Sequence, residues 1–265
     1  MRPVRWSKCS LRRKVGSPRS ETPKGELQTL KALIVAASLG SRLRGIAASK
    51  PLAPINGKPL IQNVIETALQ AGIHAFVVVT GYAADPLEAF LQTLARNMGI
   101  SIETTRNPEW TKSNGLSVIA AEPLLDEKFI LLMSDHLFEA DLLGDLLRAP
   151  WVAGGATLAI DRRLENPLVD LDDVTRVETG PKGQIVRIGK GLAIYDAFDT
   201  GVFLASRGLI SAIREDLTLG GQGSISAGMM RLAESGLAQT LDIGARFWLD
   251  VDDAVAWGHA ERLRA

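Results

Sequence analysis

The chain has 265 residues, with 30 basic and 30 acidic side chains and a formal net charge of zero. Its hydrophobic content of 46% and charged content of 23% are ordinary for a globular protein in water. No apolar run approaches the roughly 20 residues that a membrane-spanning helix needs. The single cysteine, Cys9, excludes an intrachain disulfide and a thiolate zinc cluster, so we expect a reducing, cytoplasmic setting.

The balanced charge hides a basic amino-terminal segment. Residues 1–30 contain eight Lys or Arg against two Glu, are rich in Ser, Pro and Gly, and lack the apolar core of a signal peptide. We expect them to be a disordered tail or an over-extended start of translation, ahead of one domain at 31–265. A weak attraction to an anionic membrane surface is the alternative. Nucleic acid is not an expected partner, because residues 31–265 hold 22 basic and 28 acidic side chains.

From residue 31 onward, apolar strand-like runs alternate with helical patterns. Strands are predicted at 33–37, 76–80, 100–104, 129–133 and 155–160, and helices near 59–71, 85–98 and 141–147. The run at 129–133 is apolar throughout, which is typical of a central strand covered on both faces. The alternation predicts an α/β fold with a single three-layer, doubly wound and mostly parallel sheet.

The pattern changes after residue 161. The segments 174–179 and 184–188 flank Gly180-Pro181-Lys182-Gly183, which predicts an inserted β-hairpin region. A strand at 200–204 could rejoin the sheet. Further predictions are helices near 209–215 and 224–235, a strand at 247–249 and a last helix from Asp253.

The stretch AASLGSRLRGIAASKP at 36–51 follows the first predicted strand. Gly40 and Ser41 allow backbone N–H groups to approach an anion, and Arg42 and Lys50 add positive charge, a combination that suits a triphosphate. A tight structural connection is the alternative. The spacing matches neither the P-loop, GxxxxGK[ST], nor the dinucleotide motif GxGxxG, so a different phosphate-binding loop is needed.

Two groups of carboxylates follow predicted strands. Asp135 comes directly after the uniformly apolar run, and ligands of parallel sheets bind beyond the carboxyl ends of the strands, so it is placed to hold Mg²⁺. Asp250, in the segment FWLDVDD, is expected to be a second metal ligand. Asp252 is either a ligand or, like Asp253, the cap of the last helix. His136 is expected to pack beside the first carboxylate or fix it, with a general base as the alternative.

With these motifs in view, the chain resembles the sugar-phosphate nucleotidyltransferases, and most closely the inositol-1-phosphate cytidylyltransferases. In many of those proteins this domain is followed by a membrane-embedded domain that makes di-myo-inositol phosphate. That second activity is expected to be absent here, because the chain stops at residue 265. Five motifs in order carry the resemblance over 31–264: AASLGSRLR with SKPLAPINGKPLI, NPEWTKSNGLSVI, LLMSDHLFE, IVRIGKGLAIYDAFDTGVFL and FWLDVDD. Ser38 and Ser134 replace glycines of the usual pattern, but neither change removes a charge that the chemistry requires.

The resemblance implies a Rossmann-like nucleotidyltransferase fold and the joining of CTP to inositol 1-phosphate, giving CDP-inositol and pyrophosphate with Mg²⁺ as cofactor. The catalytic side chains that it implies are Arg42, Lys50 and Lys190. The implied nucleotide-binding residues are Ala37, Leu39, Gly40, Ser41, Arg42, Lys50, Asn114, Gly115 and Ser117. The implied acceptor-binding residues are Lys190, Asp199 and Thr200, and the implied metal ligands are Asp135, Asp250 and Asp252.

Two kinds of alternative stay open. The acceptor could be phosphocholine, a phosphonate or a sugar 1-phosphate, although the acceptor half has few aromatic residues for the cage that a quaternary ammonium prefers. A non-catalytic sensor of nucleotides or phospho-sugars could use the same fold. The presence of two candidate metal carboxylates and two candidate lysines favours catalysis over the sensor.

Overall fold

The computed structural model describes residues 30–43 and 45–263, so the tail predicted at 1–30 lies, apart from Leu30, outside the described residues. In this part of the chain the strands are β1 (Lys31–Ala36), β2 (Pro54–Ile55), β3 (Lys58–Pro59), β4 (Ala75–Thr80), β5 (Ser101–Arg106), β6 (Lys128–Met133), β7 (His136–Phe138), β8 (Ala156–Asp161), β9 (Arg176–Thr179), β10 (Ile185–Gly189), β11 (Ala197–Ser206), β12 (Ala238–Asp242) and β13 (Trp248–Asp250). The α-helices are α1 (Leu60–Gln70), α2 (Ala84–Met98), α3 (Gly115–Ala121), α4 (Ala140–Arg148), α5 (Arg207–Thr218), α6 (Ile225–Glu234) and α7 (Ala254–Leu263). None of these helices combines the length and apolar character needed to cross a membrane.

Nine of the described strands form one mixed, mostly parallel sheet. Its central order is β12-β8-β11-β6-β1-β4-β5, and β11 is the strand that runs against its neighbours β8 and β6. The start of β11 also pairs with β9, which forms an antiparallel hairpin with β10. The predicted doubly wound sheet with an inserted hairpin is therefore confirmed.

Alternation along the strands divides the core into two apolar layers, one on each face of the sheet. In β1, Leu33 and Val35 pack into one layer, while Ala32 and Ile34 pack into the other. Helices α3, α5 and α6 cover the first layer, and α1, α2 and α4 cover the second. The result is the predicted three-layer arrangement, with the strands buried between two sets of helices.

The hairpin lies where its turn residues predict it. The Gly180 N–H donates to the Gln184 carbonyl at 2.8 Å, and Gly183 adopts a φ of +76°, a conformation that glycine reaches without steric strain. Five of the strands and α-helices were not predicted: α3, β2, β3, β7 and β12. Each has at most seven residues, which is too short for a periodic pattern to stand out.

The carboxyl ends of β1 and β6 lie side by side, because Val35 pairs with Met133 in parallel register. The Ser134 N–H then donates to the Val35 carbonyl at 3.1 Å, so the chain leaves β6 beside the start of the loop after β1. The glycine-containing loop and the aspartate after β6 are thus brought to the same edge of the sheet, where ligands of such sheets bind.

Candidate active site

A short antiparallel ladder brings the two distant aspartates together. Strand β13 pairs with β7 so that Asp250 stands opposite His136, and the Val251 N–H donates to the Asp135 carbonyl at 3.0 Å. One donor atom from each of Asp135, His136 and Asp250 lies within 4.8 Å of the other two. The side chains predicted to share a metal are therefore neighbours, although 115 positions separate the two carboxylates in the sequence.

His136 is held firmly between these carboxylates and the bulged strand β11. Its Nδ1 lies 2.7 Å from the Thr200 carbonyl oxygen, and its Nε2 lies 3.4 Å from Asp250 Oδ2 and 3.8 Å from Asp135 Oδ1. A Cβ on Gly201 would come within 2.2 Å of Nδ1, so the glycine makes room for the ring. The placement agrees with the expectation that His136 packs against Asp135.

Charges within the triad of Asp135, His136 and Asp250 shift the pKa values of two of its members in opposite directions. Burial opposes protonation of His136, but the carboxylates of Asp250 and Asp135 outweigh burial and raise its pKa to about 9. Burial likewise opposes ionisation of Asp250, but the His136 imidazole and the cations Lys50 and Arg42 lower its pKa to about 2. The two shifts thus favour the charged forms of His136 and Asp250.

The cations predicted for phosphate binding surround the same triad. Lys50 is 3% exposed and forms ion pairs with both Asp135 and Asp252. An ideal Cβ on Gly40 would lie 2.3 Å from the Lys50 Cβ, so a glycine with φ +59° lets the loop close over this lysine. Arg42 Nη2 lies 2.5 Å from Asp252 Oδ2, which joins the loop to the end of β13.

Asp173 joins the loop after β1 to the hairpin region. Its Oδ2 lies 2.6 Å from Arg42 Nη2, and its Oδ1 forms an ion pair with Lys190. Hydrogen bonds from Lys190 and then from Arg42 hold the pKa of Asp173 below its ordinary value. In this state Asp173 pairs with Arg42 and Lys190, two of the three cations that were predicted to bind substrate phosphates.

An open cleft of ≈ 220 Å³ connects the triad to the predicted acceptor side. Asp135, His136 and Asp250 line it together with Lys190 and Asp199. Burial raises the pKa of Asp199 to about 6, and its Oδ1 accepts the Gly201 N–H at 2.8 Å. The cleft thus holds a lysine and a carboxylate suited to a phosphate and a hydroxyl, respectively.

Three of the predicted substrate-binding residues have protein partners instead of open positions. Asn114 lines the cleft, but its Oδ1 accepts the Ile225 N–H at 3.0 Å. The Ser117 hydroxyl is buried and accepts from Asn107 Nδ2 at 3.1 Å. The Thr200 side chain is fully buried and donates to the Ala159 carbonyl at 2.8 Å, so only the Thr200 main chain faces the triad. Binding by these side chains stays a prediction.

Two further predicted positions have structural partners of their own. An ideal Cβ on Gly115 would lie 2.2 Å from the Gly223 carbonyl oxygen, which explains a glycine at the start of α3. Asp252, proposed as a metal ligand or a cap, places its oxygens on Lys50 and Arg42, outside the triad. The cap of α7 is Asp253, whose Oδ1 accepts the Ala256 N–H at 2.8 Å.

Sequence reasoning missed Asp161 and Asp173. Asp161 is fully buried at the end of β8 and accepts hydrogen bonds from Arg163, Asn166 and Trp248. Its bond from Trp248 anchors β13, which carries Asp250. Asp161 could have been found by the pattern that selected Asp135, because it too comes at the end of a predicted strand.

The triad has open donor atoms that suit a divalent metal ion. Asp135 Oδ1 and Asp250 Oδ1 are both buried and have no hydrogen-bond partner among the residues that the structure describes. A buried carboxylate oxygen without a partner is costly, and a cation between the two would satisfy both. The donor set therefore fits a metal ion, with Asp135 and Asp250 as the residues that would hold it.

Most of the chain is similar to known proteins of one domain family. The model of the MobA-like NTP transferase domain matches residues 32–229. A protein of Rubrobacter xylanophilus named bifunctional IPC transferase and DIPP synthase is 32% identical over 225 residues, covering 83% of this chain and 49% of that protein. A protein of the same name from Archaeoglobus fulgidus is 31% identical over 180 residues, covering 68% of this chain and 34% of that protein. The chain thus spans half or less of the length of these curated relatives.

Solved structures show the same fold. The inositol-1-phosphate CTP transferase from T. maritima superposes with a TM-score of 0.77 at 21% identity, covering 89% of this chain and 97% of that one. A UDP-glucose pyrophosphorylase complexed with UDP-glucose has a TM-score of 0.72 at 19% identity, covering 89% of this chain and 98% of that one. Together with the domain match over most of the described residues, these comparisons show that the chain belongs to the MobA-like NTP transferase domain family of nucleotidyltransferases.

Proposed function

We propose that this protein is a cytidylyltransferase that joins CTP to inositol 1-phosphate, producing CDP-inositol and pyrophosphate with Mg²⁺ as cofactor. The observation that carries the proposal is the meeting of Asp135 and Asp250 beside Lys50, in a cleft that is also lined by Lys190. The likeness to the inositol-1-phosphate CTP transferase from T. maritima supports the choice of nucleotide and acceptor, and the Rubrobacter and Archaeoglobus relatives named IPC transferase agree with it. A relative of Streptomyces rubellomurinus, named CMP-5'-(3-aminopropyl)phosphonate synthase and 29% identical, supports CTP but keeps a phosphonate as the alternative acceptor.

The reaction needs no general base. A phosphate monoester has a second pKa of about 6, so it is largely dianionic at neutral pH and its oxygen can attack directly. The new bond forms between that oxygen and the α-phosphorus of CTP, while the bond to the bridging oxygen breaks and pyrophosphate leaves. What the enzyme must overcome is the repulsion between two anions and the entropy of aligning them.

The charged side chains of the cleft are suited to this task. Backbone N–H groups of the loop at Gly40 and Ser41, together with Arg42, would bind the β- and γ-phosphates, and Lys50 would stabilise the α-phosphate. Mg²⁺ held by Asp135 and Asp250 would supply further neutralisation of charge at the transferring group.

The acceptor would bind on the hairpin side of the cleft. Lys190 would hold its phosphate, and Asp199 would accept hydrogen bonds from its hydroxyl groups. Asn114, which also lines the cleft, is proposed to meet the cytosine or ribose.

A pyrophosphate-release assay tests the proposal. CTP, UTP, dTTP and GTP are each supplied with inositol 1-phosphate, phosphocholine, an aminoalkylphosphonate or glucose 1-phosphate. We expect release with CTP and inositol 1-phosphate to exceed every other pair. Release with only a sugar 1-phosphate would refute the inositol assignment, and no release from any pair would refute the enzyme assignment.

A further inference from the structure

The hairpin of β9 and β10 brings Asp173 and Lys190 together. Arg176, the first residue of β9, pairs with the last residue of β10, so the chain that enters the hairpin lies beside the chain that leaves it. The Arg176 guanidinium donates to the carbonyl oxygens of Leu171 at 3.0 Å and Leu192 at 2.9 Å, which ties these two segments to each other. The ion pair between Asp173 and Lys190 therefore follows from the pairing of the strands.

The same carboxylate also reaches the loop after β1. Asp173 Oδ2 lies 2.6 Å from Arg42 Nη2, while Asp173 Oδ1 pairs with Lys190, so each oxygen holds one cation. We call these two contacts the Asp173 bridge. Arg42 is proposed to bind phosphates of the nucleotide, and Lys190 is proposed to bind the phosphate of the acceptor. One carboxylate thus joins two cations that serve different substrates.

The contacts of the Asp173 bridge are exposed enough to exchange for a phosphate. The side chain of Asp173 is 28% exposed, and those of Arg42 and Lys190 are 47% and 63% exposed. Ion pairs between groups this exposed contribute little to stability, because water solvates the separated charges well. A phosphate dianion, with more charge and more acceptor oxygens than a carboxylate, can therefore replace Asp173 on either cation.

Replacement at one cation also frees the other. A phosphate oxygen on Arg42 Nη2 would compete for the position that Asp173 Oδ2 holds, and the two anions repel each other. Both oxygens of Asp173 belong to one rigid carboxylate, so a rotation away from Arg42 also withdraws Oδ1 from Lys190. Each substrate thus favours the rotated side chain, and in that state the second cation is open to the other substrate.

We propose that Asp173 is a positioning residue that couples the two phosphate sites, so that an anion bound at Arg42 releases Lys190 and an anion bound at Lys190 releases Arg42. The effect of each ligand on the affinity of the other is equal by thermodynamic linkage. Its sign distinguishes the coupling from simple electrostatics, because two phosphates bound side by side would otherwise weaken each other's binding. The assignment of these cations to nucleotide and acceptor rests on the proposed function, which the coupling deepens.

The reactivity of Lys190 measures its release without nucleotide, acceptor or turnover. The full chain is treated with acetic anhydride in the presence and absence of inorganic pyrophosphate, and acetylation of each lysine is followed by peptide mass spectrometry. We expect Lys190 to be acetylated about fivefold faster at saturating pyrophosphate, because its amine leaves the ion pair and becomes accessible. Lys182, exposed in the turn of the same hairpin, is the internal control and should not change.

Two variants separate the coupling from a structural role of Asp173. Asp173→Asn keeps the size of the side chain but removes the charge that holds both cations. Lys190 should then react rapidly from the start, and pyrophosphate should no longer accelerate its acetylation. Asp172→Asn, at the neighbouring exposed position, should behave as the wild-type protein does. Circular dichroism and urea denaturation confirm that each variant is folded.

Calorimetry measures the same coupling between the proposed substrates. Inositol 1-phosphate is titrated into the protein with and without the α,β-methylene analogue of CTP, which cannot release pyrophosphate. The analogue should strengthen the binding of inositol 1-phosphate to the wild-type protein by several-fold. In Asp173→Asn the analogue should weaken that binding, because only the repulsion between the two bound anions is left.

Three results would overturn the proposal. Pyrophosphate could leave the acetylation of Lys190 unchanged or slow it in the wild-type protein, it could accelerate the reaction equally in Asp173→Asn, or the CTP analogue could weaken the binding of inositol 1-phosphate to the wild-type protein. Failure of inositol 1-phosphate to bind in every titration would instead refute the proposed acceptor. The acetylation rates would still decide whether Asp173 couples the two cations, so the two failures are distinguishable.

Discussion

Trp248 donates its indole N–H to the buried carboxylate of Asp161 at 2.8 Å. The contact ties strand β13 to the end of β8, and β13 carries Asp250 two residues later. A hydrogen bond outside the candidate metal cluster therefore helps to fix the position of one of its carboxylates.

Replacing the indole tests this connection. Trp248→Phe keeps an aromatic ring but leaves the Asp161 carboxylate with one donor fewer, and we expect it to lower the free energy of unfolding by about 2 kcal/mol. Urea denaturation measures the change. Trp257→Phe is the matched control, because its indole donates to the Pro54 carbonyl at an exposed position, and its effect should be smaller. Equal losses would contradict a special role for the Asp161 contact.

Asp161 also makes stability depend on acid pH. Burial opposes its charge, but hydrogen bonds from Arg163, Trp248 and Asn166 outweigh burial and hold its pKa below the ordinary value. A carboxyl with a depressed pKa in the folded state contributes stability above its unfolded pKa of about 4, and this contribution is lost as the pH falls through the folded value.

The slope of the unfolding free energy against pH reports on Asp161. The unfolding free energy of the wild-type protein should decline below about pH 4, and Asp161→Asn should decline less steeply there although it is less stable at neutral pH. Denaturation curves recorded between pH 3 and pH 7 measure both. Parallel pH profiles for the two proteins would show that Asp161 does not contribute to the slope.

Removing a candidate metal carboxylate should stop turnover without unfolding the chain. Asp135→Asn keeps the size of the side chain but removes the charge that faces the metal position, so we expect pyrophosphate release to fall at least about a hundredfold. Asp141→Asn, at an exposed position in the first turn of α4, is the control. A rate near that of the wild type at saturating metal would refute the assignment of Asp135.

Substitution of Lys190 should change the KM for the acceptor and leave the KM for CTP nearly unchanged. Lys190→Ala removes the cation proposed for the acceptor phosphate, so KM for inositol 1-phosphate should rise about tenfold and KM for CTP should change little. Lys182→Ala removes an exposed lysine from the turn of the same hairpin and should alter neither. An equal rise in both KM values would place Lys190 elsewhere in the reaction.

Asp173 forms ion pairs with Arg42 and Lys190 when no substrate is present. A phosphate that binds these cations must displace the carboxylate, so Asp173→Asn should strengthen the binding of inorganic pyrophosphate to the free protein by several-fold. Isothermal titration calorimetry measures this change, with Asp172→Asn as the control at the neighbouring exposed position. Weaker binding by Asp173→Asn would indicate that this carboxylate assists the anion instead of competing with it.

Local patterns in the sequence determined the strand–helix alternation, the hairpin turn at Gly180–Gly183 and the placement of Asp135 after a central strand. These features follow from periods of two or 3.6 residues and from turn chemistry, which act within a few positions of the chain. The loop residues Gly40, Ser41 and Arg42, together with Lys50, were also selected from the residue pattern, whereas Lys190 was added by the family resemblance.

Only the tertiary structure decided which of these side chains meet. The ladder between β7 and β13 joins segments more than a hundred positions apart, and no local pattern reports such a pairing. The same holds for Asp173, which contacts Arg42 across 131 positions, and for the separation of Asp252 from the metal cluster. Strand pairing and charge neutralisation are long-range effects, so the sequence supplied the ionisable groups, and the folded sheet determined which of them face the candidate metal position and which face each other.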